Sequence, residues 1–200
     1  MIIAPDDSIA FFEQLRELSD RHWAGSSLDQ DIFGFQVQPG TTWNPGLSAA
    51  ELKAFEGAVG FTFPAPLRHF YAVMNGLDKP GVNIYGSSGH APAYTPVFYT
   101  FPNDMNRIQN LLQWIYSANN ITAGRLRAEG ISRIFPICGH RFMLVDVPGN
   151  PVLSMYETDI IYWTDNISKL IATHIFPELA GKPAFKPTPV PSGIKYWLTP

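Results

Sequence analysis

Apolar residues recur at helical spacing near the start of the chain, where Ile9, Phe12, Leu15 and Leu18 share one side of a helix that ends near Trp23-Ala24-Gly25. Asp6, Asp7 or Ser8 supplies the side-chain oxygen that a helix start requires. The spacing returns twice in the stretch LSAAELKAFEGAVGFTFPAPLRHFYAVMNG, residues 47–76. Ser48 and Glu51 stand three apart, so each side chain reaches a backbone N–H left free in the first turn. Leu47 and Leu52 flank that cap at hydrophobic-staple spacing. Leu52, Phe55 and Val59 form the apolar stripe, and Gly60 suits the left-handed residue that closes it. Pro64-Ala65-Pro66 opens a second helix carrying Leu67, Phe70, Tyr71 and Met74, which Asn75-Gly76 is expected to end. Phe61 and Phe63, in the link, are expected to plug the gap between the two helices.

Downstream the period changes. Ile32–Val37, Val82–Tyr85 and Thr95–Tyr99 read as short extended pieces, the last suited to a sheet edge because of Pro96. Asn103 or Asp104 caps a helix bearing Ile108, Leu111, Leu112 and Ile115, and a further helical turn or two ends at Gly130. Residues 133–164 form the strongest β region: Ile134–Cys138, Phe142–Val147, Val152–Tyr156 and Ile160–Trp163 are separated by Gly139-His140, Pro148-Gly149-Asn150 and Glu157-Thr158-Asp159. Both faces of Phe142–Val147 are apolar, so that strand should be central and covered on each side. The short connections favour antiparallel neighbours. Asp165 or Asn166 caps a last helix with Ile167, Leu170, Ile171 and Ile175 facing inward.

From Pro177 onward, six prolines favour an extended, polyproline-like path, and Phe185, Tyr196, Trp197 and Leu198 are the anchors by which such a tail would dock. The predicted architecture is therefore α+β: helices packed on one antiparallel or mixed sheet, with an extra N-terminal helix and an extended C-terminal tail. Residues 1–176 form a single domain with a helical insert at 103–130, and 177–200 form the tail.

Composition narrows the function. The 200 residues are 16% charged, against a usual share of roughly a quarter, and 14% aromatic, as expected of a well-packed body. A net charge of −3 with no basic stripe argues against nucleic acid as a partner. No apolar run approaches the roughly 18 residues that cross a bilayer, and Met-Ile-Ile-Ala-Pro-Asp-Asp lacks the features of a secretory signal. The lone Cys138 excludes an internal disulfide and fits a reducing compartment, so a cytoplasmic protein without membrane contact is expected. The sequons at Asn120 and Asn166 are then chance matches.

Cys138-Gly139-His140 alone invites a nucleophile, because an imidazole or Arg141 could lower the thiol pKa. A cysteine at the end of an apolar strand is more often a small buried hydrophobe. His22, His69, His90, His140 and His174 show no metal-ligand spacing, and Gly86-Ser87-Ser88-Gly89 lacks the Gly-Lys-Ser/Thr ending of a phosphate loop. No cofactor or metal is expected. His90, in that loop, is a candidate contact residue. Asp29, Asp31 and Asp78 are loop carboxylates, solvated or complementary to a basic partner. Trp43 is either a core plug, the favoured reading, or an exposed anchor.

Several of these punctuating residues occur together in a known family. Leu47-Ser48 with Glu51, Phe55-Glu56, Val59-Gly60, Phe63-Pro64 and Asn75-Gly76, in that order, resemble the opening motif of Smi/Knr-type domains of the SUKH superfamily. The second half, a strand ending in Asp146, a turn at Gly149, a strand starting at Val152 and a closing helix, is also similar. The resemblance covers roughly residues 43–85 and 134–175. It implies structural roles for Ser48, Glu51, Glu56, Gly60, Pro64, Asn75, Gly76, Asp146 and Gly149, with Glu56 as a hydrogen-bonding anchor and Gly76 as helix terminator. It also implies a non-catalytic protein-binding domain, either an immunity protein that neutralises a cognate bacterial toxin or a regulatory adaptor in cell-wall synthesis or signalling. Trp43, Asp78, Tyr85 and His90 are the candidate partner contacts. A small cysteine-dependent enzyme centred on Cys138 and His140 is the rival from another class.

Overall fold

Ser8 opens helix α1 (Ile9–Ala24) by accepting a hydrogen bond from the N–H of Phe11, and Phe11, Phe12, Leu15 and Trp23 line its buried side. The computed structural model describes residues 2–86, 89, 91–190, 194 and 196–198. After a connecting segment come β1 (Trp43–Pro45), α2 (Ala49–Val59) and α3 (Ala65–Val73). Both bonds of the Ser48–Glu51 capping box are present, and Gly60 closes α2 in the left-handed conformation.

The chain leaves α3 earlier than helical spacing predicts. Met74–Leu77 is strand β2, antiparallel to β1, so Asn75-Gly76 lies inside a strand instead of ending a helix. Two forces win there over helix continuation. The backbone pairs with Trp43–Pro45, and the Asn75 amide pins the next loop, donating to the Phe101 carbonyl at 2.8 Å and accepting from the Phe101 N–H at 2.9 Å. Gly76 is needed for space as well as for its φ of +69°. A Cβ there would lie 2.1 Å from Thr100 Oγ1.

Strands β3 (Gly81–Asn83) and β4 (Ala93–Thr95) form a second two-stranded ribbon. Of the expected extended piece at 32–37, only Gln36 pairs, bridging to Val82, and of 95–99 only Phe98 pairs beyond β4, with Cys138. Then follow α4 (Met105–Ala118), α5 (Ala123–Ala128), β5 (Ile134–Cys138), β6 (Arg141–Leu144), β7 (Val152–Tyr156), β8 (Asp159–Thr164) and α6 (Ile167–Ile175). The last four strands make one antiparallel meander in sequence order, with β5 and β8 at its edges. The fold is α+β, and its β-structure is divided between this sheet and the two ribbons.

Alternation along the central strands separates two cores. Phe135, Ile137, Met143, Val145 and Val152 face α1, α2, α3 and α6. Ile134, Phe142, Leu144, Leu153 and Met155 face the other way, against Ile115 of α4, Ile121, Ile131, Ile194 and Trp197. Period-2 alternation with both parities apolar is what two covered faces demand. The helix pair meets the sheet through aromatic rings: Phe55, Phe63 and Tyr71 lie 5.8, 5.3 and 6.1 Å from Phe135, centroid to centroid. Helix α4 serves both cores, with Ile108 in the first and Ile115 in the second.

Residues 177–190 do not simply run extended. Pro177–Gly181 and Pro183–Phe185 are short 3₁₀ turns, each with proline in its first turn, where the missing N–H costs nothing and the fixed φ suits a helical start. Leu179 and Phe185 are buried in the first core. Trp197 joins the second, and its indole N–H donates to the Ser132 carbonyl at 2.9 Å.

Candidate functional site

Most of the motif residues build the frame. The Glu56 carboxylate is buried beside the α2–α3 link, where it accepts from the Phe63 N–H at 2.8 Å and from Arg68 Nε and an Arg68 terminal nitrogen at 2.8 and 2.9 Å. Those donors hold its pKa below the ordinary range, the Arg68 hydrogen bonds contributing most. Pro64 stands at the start of α3. Asp146 accepts from the Arg133 N–H and pairs with its guanidinium at 3.2 Å. Gly149 takes a φ of +79° in the β6–β7 turn. The turn's buried hub is Asn150, whose amide donates to the carbonyls of Leu144 and Val145. Its sequence signal was the Pro-Gly-Asn turn itself.

The four candidate partner contacts separate. Trp43 is 3% exposed, packed among Trp23, Phe70 and Phe98, with its indole N–H bonded to Ser19 Oγ at 2.7 Å. It is a core plug and not a surface anchor. The Asp78 carboxylate accepts from the Thr42 N–H at 2.8 Å, bracing the β1–β2 ribbon from an exposed position. His90 lies outside the described residues. Tyr85 belongs to a surface feature.

That feature is an aromatic platform on residues 29–36 and the β3–β4 ribbon. Gln36 pairs with Val82 through two backbone hydrogen bonds of 2.9 Å. The Gln36 side-chain amide also pairs with the Asp29 backbone, accepting from its N–H and donating to its carbonyl at 2.8 Å each. The loop between them is thereby closed at its base. Phe33, at its tip, stacks on Tyr85 with ring centroids 4.4 Å apart, and the Tyr85 hydroxyl donates to the Gln30 carbonyl. Phe33 is nevertheless 82% exposed and Tyr94, paired opposite Val82, is 60% exposed; Ile32 and Phe35 are exposed as well. Asp29 and Asp31 are exposed on the same loop. Large apolar side chains held in place but left in water mark an interaction surface. Hydrophobic periodicity missed the platform because exposed aromatics in a loop follow no repeat.

The cysteine–histidine constellation falls at a cavity of about 280 Å³ lined by Cys138, His140, Arg141, Trp163, Thr173 and His174 among others. The Cys138 thiol is buried, and burial pushes its pKa up to about 12. Arg141, the countervailing charge, does not offset that desolvation. A nucleophilic cysteine needs the opposite shift. His140 is held below the ordinary histidine pKa, by burial first and the Arg141 charge second. His174 is lowered as well, by desolvation against the protein first and the same Arg141 charge second, although its side chain is partly exposed. Both shifts favour the neutral imidazole.

A larger groove, about 590 Å³, runs between the end of α2 at Gly60, α5, and the turn at Asp146–Pro148. It brings the two halves of the motif together, but its Arg133 and Asp146 neutralise each other. Among the described residues, no three of His, Cys, Asp or Glu converge to hold a metal, and no helix is long and apolar enough to cross a membrane. Comparison with protein-family models, with curated proteins and with solved structures gave no match to this chain.

Proposed function

We propose that this protein is a non-catalytic binding domain, a cytoplasmic immunity protein of the SUKH type that neutralises a cognate toxin by covering it. The observation carrying this reading is the Phe33–Tyr85 stack on a loop closed by hydrogen bonds, with Ile32, Phe33 and Phe35 of that loop and Tyr94 of β4 exposed. Rigid aromatics bury much area on binding at little entropic cost, which is why such residues dominate interface centres. Asp29 and Asp31 at its border favour a partner with a basic surface, and would speed its capture. The order and spacing of residues 47–76 supply the SUKH resemblance behind the immunity reading. The protonated Cys138 thiol weighs against the cysteine-enzyme alternative.

Co-expression with toxins encoded beside the gene tests the proposal. Growth should be restored by the wild-type protein and lost with the double variant Phe33→Ser/Tyr94→Ser, which alters only exposed positions. Failure of the wild-type protein to bind or counteract any neighbouring toxin would overturn the immunity reading. Rescue unaffected by the double variant would remove the platform from it.

A further inference from the structure

The cavity at the β5–β6 turn holds a cation with unused binding capacity. Arg141 begins β6, and its guanidinium carbon lies 3.6 Å from the centroid of Trp163 on edge strand β8. One terminal nitrogen donates to Ser154 Oγ at 2.6 Å. A guanidinium carries five N–H donors in a planar fork. Among the described residues, Ser154 is its one hydrogen-bond acceptor, and no Asp or Glu forms an ion pair with it. Stacking on Trp163 fixes the plane of the fork, so the free N–H groups are oriented in advance. Such preorganisation is what bidentate recognition of a planar anion uses.

We propose that this cavity binds a carboxylate, gripped by the Arg141 fork where it lies on Trp163, with His140 and His174 supplying imidazole N–H groups at the walls. Charge selects the ligand: Arg141 is the one charged side chain among the lining residues, the two imidazoles and the Cys138 thiol being neutral near pH 7, so a monoanion balances it and a phosphate dianion does not. The C-terminal turn of α6, which bears His174, adds partial negative charge that disfavours a second anionic charge further. Size selects it too. At about 280 Å³ the cavity falls at the small end of ligand pockets, which begin near roughly 300 Å³. Trp163 and Leu170 offer apolar contact for a short aliphatic stem. A short-chain carboxylic acid and the side chain of a partner's Glu or Asp share this chemistry. The residues involved are not those of the aromatic platform, and the inference does not depend on the toxin-binding proposal.

Titration of the purified protein with sodium propionate, the capped tripeptide acetyl-Gly-Glu-Gly-amide and inorganic phosphate, followed by the NMR shift of the Trp163 indole N–H, tests the site. Saturable binding of propionate or the peptide with a Kd of about 1 mM or below, weakened at least about tenfold in Arg141→Met and less in Arg141→Lys, is the expected result. Tighter binding of the peptide identifies a side chain of a partner as the natural ligand, and tighter binding of propionate a free acid. Preference for phosphate overturns the carboxylate assignment. Absence of saturable binding by either carboxylate, or binding unchanged in an Arg141→Met protein whose amide spectrum shows the native fold, overturns the site itself.

Discussion

Glu56 shows how one side chain links two elements. It leaves α2 and satisfies the Phe63 N–H on the link while forking with Arg68 on α3. Replacing it with Gln weakens the fork and removes a charge whose pKa is depressed in the folded state. A depressed carboxyl pKa stabilises the fold above the unfolded value, near 4.3, and that stability is lost as pH falls through the folded value. The wild-type protein should therefore lose urea stability on acidification below about pH 5, and Glu56→Gln should show a smaller loss over that interval. At pH 7 the variant should be less stable by about 1–3 kcal/mol, since the buried Phe63 amide loses a charged acceptor. Equal acid sensitivity of the two proteins would contradict this role.

At the scale of elements, start and stop signals were readable because they are local. The Ser48–Glu51 box, the Gly60 terminator and the four strands between 134 and 164 depend on neighbours a few residues away. The stretch 74–77 was not readable. Its apolar spacing continues the helix through Met74, and only the distant partner Trp43–Pro45 makes it a strand. Gly60 and Gly76 separate the two cases experimentally. Both have positive φ, but Gly60 faces open space while Gly76 lies against Thr100. Gly60→Ala should cost about 1 kcal/mol from backbone strain alone. Gly76→Ala should cost at least about 2 kcal/mol more, because the added methyl must displace the loop that Asn75 holds. Urea midpoints of the two variants check that ranking.

Taken whole, the molecule is a sheet with two covered faces, and its functional surfaces were the part least visible in the chain. Arg141 meets Trp163, and Phe33 meets Tyr85, across separations that no periodicity reports. The need for two covers was legible from the doubly apolar strand, Arg141–Leu144 in the structure, and Trp197 among the expected docking anchors, but not which face Trp197 would close. Trp197 is part of that second cover, only 4% exposed against Ile134, Phe142 and Leu144. Trp197→Ala should lower stability by about 3 kcal/mol or more and increase binding of a hydrophobic dye. A variant with unchanged midpoint and dye binding would show that the sheet tolerates an open face.

The position of that cover has a consequence for biosynthesis. Ile194 and Trp197 follow every described strand and helix, so a growing polypeptide completes its sheet before the last two of the buried residues that cover its second face are in place. For that interval the part of the sheet that Trp197 covers is open to water, a nonpolar patch of the kind chaperones bind.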